Sequence, residues 1–355
     1  MTAAAQTQEV AVDWGIAGRR ARSLVPAGPK IDRAQAALLV ESLRSAASRA
    51  PDFVGQVTGL HDAAAASAKV ATYIVDRPSW IDSNIATFAH ITDGVLPAPP
   101  NRHAARVAGE ELGVVLPLLA SRVLGQYDPF ATETGGRLLL VAPNILKVEK
   151  ELELPGPDFH LWVALHEQTH ALQGAAAPWL ADYLAATMRK LMSGVLASDG
   201  AEDRVRSMIS ALPDVVTGAS DGDPNAPSSG PLLDAVLSDD ERELMDQAVA
   251  LMSLLEGHAD VVMDEVGPDV VPAVARIRKA FDKRRTSPGP IENLLRRLLG
   301  MDAKLAQYRR GAKFVRAVIA DVGHDGLNAV WSAPEQLPTA AEIADPALWV
   351  ARVHG

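Results

Sequence analysis

Residues 161–174, LWVALHEQTHALQG, constrain this chain more than any other stretch. Apolar side chains surround nearly the whole helical circumference, with Leu161, Leu165 and Leu172 on one side and Trp162 and Val163 on another. A helix that is apolar all round is a buried helix. This one also carries His166, Glu167 and His170, and polar groups buried without partners are costly. The fold must therefore bury the helix and still satisfy all three side chains.

One bound ion would satisfy them together. Histidines at i and i+4 project from one helix face, about 6 Å apart along the axis. That spacing lets both imidazoles bind a single zinc ion. Glu167 lies about 100° round from His166, outside the ligand row but within reach of a water on the metal. The pattern H-E-x-x-H thus writes two ligands and one general base onto a helix. Composition alone yields it in about one such chain in a hundred. The structural alternative is a buried helix whose polar groups are satisfied separately. It needs three sets of partners where a metal needs one.

The chain has no cysteine. Disulfides, thiolate ligands and cysteine nucleophiles are excluded, so a metal site must draw on His, Asp and Glu. A catalytic zinc also needs a third protein ligand and an open position. The extension H-E-x-x-H-x-x-G-x-x-H would require glycine at 173 and histidine at 176. Gln173 and Ala176 stand there instead, which rules that class out. The other common arrangement takes a glutamate from a later helix. LMSLLEGHADVVMDEVG (251–267) offers Glu256, beside an apolar stripe of Met245, Val249, Met252, Leu255, Ala259 and Val262. Asp260, one turn on, is placed to accept a hydrogen bond from the outer nitrogen of a zinc-bound histidine and so fix its tautomer. An ordinary helix with scattered acids is the plainer reading. His258 rivals Glu256: about 200° round from it, it would replace Glu256 or line the cleft wall. His160 points elsewhere, and the other histidines show no ligand spacing.

Helical periodicity dominates the rest, so the expected class is mainly α with a small β-sheet (α+β). KIDRAQAALLVESLRSAASRA (30–50) reads as an amphipathic helix with Ala37, Leu38, Val40, Leu43 and Ala47 near one side. Further helices are expected through 51–90, including AAAASAKVATYIV. The Pro-rich stretch 92–102 separates a helical N-terminal region, 1–102, packed on a catalytic region, 103–355. Pro117 should break or begin the helix of 103–125. GGRLLLVAPNI (135–145) is the clearest strand, ended at Pro143 or confined by it to a sheet edge. The metal helix should run from Asp158, its N-cap, to about Gln173. TGASDGDPNAPSSGP (217–231) reads as a mobile loop. Ser238 and Glu241 form a capping-box pattern opening a helix to about Glu265.

The chain has 355 residues, 48% of them hydrophobic, ample for a large core. Its net charge of −10 argues against nucleic-acid and anionic-membrane partners. No stretch approaches the roughly 20 apolar residues that span a bilayer. The N-terminus lacks the basic start and apolar run of a secretion signal. A soluble, cytoplasmic protein is expected. Nothing in the sequence specifies an oligomeric state.

The stretches LHEQTHALQ, APWL, LLEGHADVVMD and LLRRLLGMDAKLAQYRRGAKFV resemble the zincin-like metallopeptidase type 2 family, a mostly actinobacterial group. The resemblance runs over nearly the whole chain from VDWGIAGRRARSLVPAGP onward. Some members carry a label linking them, by gene association, to deazaflavin-coenzyme biosynthesis. The resemblance implies a zincin-like metalloprotease fold with an extra helical N-terminal region, one catalytic zinc, and a peptide or protein substrate.

The site also resembles that of thermolysin-like zincins, which carries over to His166, Glu167, His170, Glu256 and Asp260. In that class an edge strand just before the metal helix binds extended peptide by strand addition, and residues 137–142 would be its counterpart. The long N-terminal region and helical tail depart from a minimal peptidase. The implied chemistry has zinc acidify a water and polarise a carbonyl, while Glu167 takes the proton and delivers it to the leaving amine. Tyr308, or Arg309 or Arg310, would stabilise the oxyanion, although a surface hydroxyl on an amphipathic helix is the plainer reading of Tyr308. The expected function is a zinc-dependent metallohydrolase acting as a peptidase. The alternatives are a zincin scaffold that binds a peptide, protein or metabolite, and an amidohydrolase on a small metabolite. An intact Glu167 favours an enzyme.

Overall fold

Helices dominate the computed structural model, which describes residues 11–96, 101–131, 136–197, 239–286 and 301–355, without side-chain detail at 194–197, 239, 284–286 and 301–309. In chain order come α1 (Trp14–Leu24), α2 (Arg33–Thr58), α3 (His61–Ser67), β1 (Ala71–Val75), α4 (Arg77–Thr92), α5 (Arg102–Ala120), β2 (Gly125–Asp128) and β3 (Arg137–Val141). There follow α6 (Ala142–Glu151), α7 (Gly156–Ala176), α8 (Leu180–Ala197), α9 (Asp239–Glu265), α10 (Val274–Thr286), α11 (Met301–Leu327), α12 (Ala340–Ala344) and α13 (Pro346–His354). No helix among the described residues is long and apolar enough to cross a membrane. The segment 217–231 and Ser238 lie outside the described residues.

The sheet has the order β1-β3-β2, with β1 parallel and β2 antiparallel to β3. Residues 137–141 are therefore its central strand, not an edge. Pro143 ends the strand by opening α6 within that helix's first turn, where a missing N–H is harmless. β3 shows why its sequence is apolar throughout. Leu138 and Leu140 enter the core beneath α2 and α7, while Leu139 and Val141 face a second cluster with Ala21, Trp80, Ile81 and Leu116. Successive side chains point to opposite faces, and both faces of this strand are covered. β1 corrects the helical expectation for 63–75: the alanine run ends at Ser67, and ATYIV, with its β-branched and aromatic residues, pairs with β3.

The amphipathic stripe in α2 also differs from expectation. Leu39, Leu43, Ala46, Ala47, Ala50 and Val54 are buried, whereas Leu38 is 71% exposed. The buried set is the i, i+4, i+7 row that meets α7. Asp32 and Gln35 close a capping box at its start. Pro51 and Pro117 both lie inside helices, in α2 and α5, and both are buried. Each proline removes one hydrogen bond, a loss of about 3 kcal/mol, and the packing of the flanking turns carries the helix through it.

Helix α7 occupies the centre. It starts at Gly156, with Pro155 as N-cap, so Asp158 sits inside the first turn and accepts a hydrogen bond from the Ala273 amide at 2.8 Å. Phe159 and Trp162 pack with Phe281 of α10. His160 is buried between Ser42 Oγ at 2.7 Å and Glu149 Oε2 at 2.8 Å, tying α7 to α2 and α6. Helix α9 crosses α11 at backbone contact. A methyl placed on Gly257 would meet the Gly311 carbonyl carbon at 2.2 Å, and one on Gly311 would meet Ser253 O at 1.8 Å.

Candidate metal centre

From Phe159 to Gln173, every residue of α7 is buried except His166 and His170. The helix gives its whole circumference to the core and opens only where these imidazoles emerge. On α9 the same occurs at Met252, Glu256 and Asp260, spaced four apart, while the intervening residues are buried. The two openings face each other. His166 Nε2 and His170 Nε2 lie 3.2 Å apart, and Glu256 places Oε2 3.5 Å from the first and Oε1 3.6 Å from the second. The three side chains form a set whose ligand atoms lie within 4.8 Å of one another.

These separations suit one ion. A tetrahedral zinc with bonds of about 2.0–2.2 Å requires donors about 3.3–3.6 Å apart. Two neutral imidazoles and a carboxylate match zinc's preference for nitrogen and oxygen ligands. All three also line a cleft of about 740 Å³, together with Tyr127, Leu184, Met252 and Leu255 among others.

Glu167 lies beside this set without belonging to it. Its side chain is buried against β2, whose Gly125 has no side chain to obstruct it: a methyl there would lie 2.5 Å from Glu167 Cγ. Burial first, with the Glu256 charge adding to it, raises its pKa to about 7, against opposing effects from His170 and from the Tyr127 amide that donates to it. A carboxyl held near neutrality next to a prospective metal is suited to take and return a proton.

The strand beside the site is thus β2, residues 125–128, and not 137–142. β2 is one of the two sheet edges, and it was not anticipated from GQYD, which is only four residues long. Its Tyr127 ring reaches across to α7, with its hydroxyl near Gly174, and its pKa is raised by burial and by Asp128. Asn84 and Gln126 exchange side-chain hydrogen bonds, and Arg137 clasps buried Asp128. These contacts hold β2 in place.

The remaining candidates are placed as follows. Asp260 is one turn beyond Glu256 and ion-paired with Arg278 at 3.1 Å. Arg278 also bonds Asp264 and stacks on Trp162. His166 Nδ1 faces Met263 Sδ at 3.1 Å. His258 does not join the donor set. It is fully buried behind it, and burial drives its pKa down to about 3, with His324 and His170 acting in the same direction. The side chains of Tyr308 and Arg309 lie outside the described residues, and Arg310 is exposed. Three contacts of Gln173 went unread in the sequence: Oε1 meets His170 Nδ1 at 2.9 Å, and Nε2 meets Leu255 O at 2.9 Å and His258 Nδ1 at 3.1 Å. The i+3 spacing of Gln173 from His170 was the available signal.

A family model described as zincin-like metallopeptidase matches residues 12–350. A crystal structure from Chloroflexus aurantiacus, described provisionally as a hydrolase with a novel fold, is similar at 27% identity and a TM-score of 0.65, covering 97% of this chain and 99% of that one. No curated protein sequence matches the chain at a significant level.

Proposed function

The chain belongs to the zincin-like metallopeptidase family, and we propose that it is a zinc-dependent hydrolase that cleaves peptide bonds. One observation carries this reading: three donors at tetrahedral spacing, with a buried carboxyl outside the set but beside it. Zinc, when bound by His166, His170 and Glu256, supplies a Lewis acid that acidifies water and polarises a carbonyl. Glu167 then accepts the proton of the attacking water and returns it to the leaving amine. Glu167 is buried beside the donor set without belonging to it, so its carboxylate is free to take the proton from water and pass it on. β2 holds that carboxyl in place through the Tyr127 amide. We further propose that Asp260, its carboxylate held by Arg278, orients His166, because the outer nitrogen of His170 is taken by Gln173.

The test has two stages. Metal analysis of the purified protein should give about one zinc per chain, and far less in His170→Ala; equal zinc in both would sink the ligand assignment. A peptide-library digest with and without chelator then seeks a cleavable substrate. Glu167→Gln should keep zinc and fold while hydrolysis drops at least about a hundredfold. A wild-type protein that binds zinc firmly and cleaves nothing would make the site a binding scaffold.

A further inference from the structure

Gln173 is a buried residue that the proposed chemistry leaves without a task. It is 1% exposed, three residues beyond His170, and its amide touches His170, the Leu255 carbonyl and His258. The Leu255 carbonyl can only accept a hydrogen bond. The atom of Gln173 that faces it must therefore be the NH₂ group, and the amide cannot be turned over without setting two oxygens against each other. The orientation of the amide follows from chemistry rather than from assignment alone. Oε1 is then the atom that faces His170 Nδ1. It can only accept, so Nδ1 carries the proton and Nε2 of His170 is bare. The second NH₂ hydrogen points to His258 Nδ1, which must accept, so His258 carries its proton on Nε2.

We infer that Gln173 and His258 are positioning residues that hold His170 in the one neutral tautomer able to bind a cation through Nε2. The inference rests on the metal reading of the site. The opposite tautomer would present a proton to Glu256 Oε1 and His166 Nε2, where the ion belongs. No simpler side chain meets all three demands at position 173. Leucine would leave His170 Nδ1–H buried without an acceptor, and a carboxylate would face the Leu255 oxygen. Because Leu255 adjoins Glu256, the same amide sets the α9 ligand relative to the α7 ligands. His258 adds a second acceptor against turnover of the amide.

The test begins on wild-type, full-length, metal-stripped protein labelled with ¹⁵N-histidine. Long-range ¹H–¹⁵N NMR reports which ring nitrogen bears the proton. His170 should be protonated at Nδ1 and His258 at Nε2, with signals identified through their loss in His170→Asn and His258→Asn. An Nε2-protonated His170 in the wild type overturns the inference. Zinc affinity, read by competition with a chromogenic chelator, should fall about ten- to a hundredfold in Gln173→Ala. Gln173→Glu keeps an acceptor for His170 but sets a carboxylate oxygen against the Leu255 carbonyl, so it should bind zinc less tightly than wild type and more tightly than Gln173→Ala. Unchanged affinity in Gln173→Ala, or equal loss in both variants, would reduce Gln173 to a tie between helices and overturn the proposal. A wild type with the expected tautomers that fails to bind zinc would instead refute the metal reading and leave the tautomer assignment standing.

Discussion

Gly125→Ala tests whether β2 sets the position of Glu167, the proposed general base. The new methyl would lie 2.5 Å from Glu167 Cγ and 2.7 Å from both Cδ and Oε1. Carbon atoms in contact settle at about 3.5–4.0 Å, so one partner must move by about 1 Å. The strand is poorly placed to retreat. It is paired to β3, Gln126 and Asn84 exchange hydrogen bonds at 3.0 and 3.1 Å, and Arg137 clasps Asp128 at 2.8 Å. The Glu167 side chain therefore shifts. A 1 Å misplacement of a reacting group is worth about a hundredfold in rate, or about 2.7 kcal/mol of transition-state stabilisation. The three atoms nearest that methyl all belong to Glu167 and none to a proposed ligand, so zinc content should be unchanged. The assay compares kcat/KM on a cleavable peptide, zinc stoichiometry and thermal melting for wild type, Gly125→Ala, Glu167→Gln and the double variant. Since both changes act through one carboxyl, the double variant should be no slower than Glu167→Gln alone. Full activity in Gly125→Ala, or losses that multiply in the double variant, would refute the reasoning.

Gly311→Ala should destabilise the fold by about 3 kcal/mol or more, because its methyl would meet backbone, Ser253 O at 1.8 Å, and not a flexible side chain; chemical denaturation with a loss under 1 kcal/mol would contradict the backbone contact between α9 and α11. His258 makes stability pH-dependent. Its folded pKa, about 3, lies below the ordinary value of about 6.5, so the unfolded chain binds a proton first and stability falls as pH drops below about 6.5 towards 3. Between pH 7 and 5 the wild type should lose up to about 2 kcal/mol more than His258→Gln, and parallel pH profiles for the two would remove the effect. Asp260→Asn should weaken zinc binding about ten- to a hundredfold, measured by chelator competition; wild-type affinity would leave Asp260 as no more than a partner of Arg278.

The sequence by itself settled what could be written along one helix. The i, i+4 spacing of His166 and His170, the offset of Glu167 and the apolar surround of all three are properties of 3.6 residues per turn, and they hold wherever α7 is placed. Glu256 was legible for the same reason, as a carboxylate where α9 is otherwise apolar. Only the tertiary structure decided what lies across from those faces. Long-range pairing placed 137–141 at the sheet centre and made 125–128 the edge beside the site, since strand order depends on partners far apart in sequence. It moved the buried row of α2 from Leu38 to Leu39, because the direction from which α7 approaches picks the row. It also gave Gln173 and His258 their roles. An amide and an imidazole on separate helices acquire defined donors and acceptors only when packing brings α7 and α9 within hydrogen-bond distance, and no periodicity within either segment encodes that meeting.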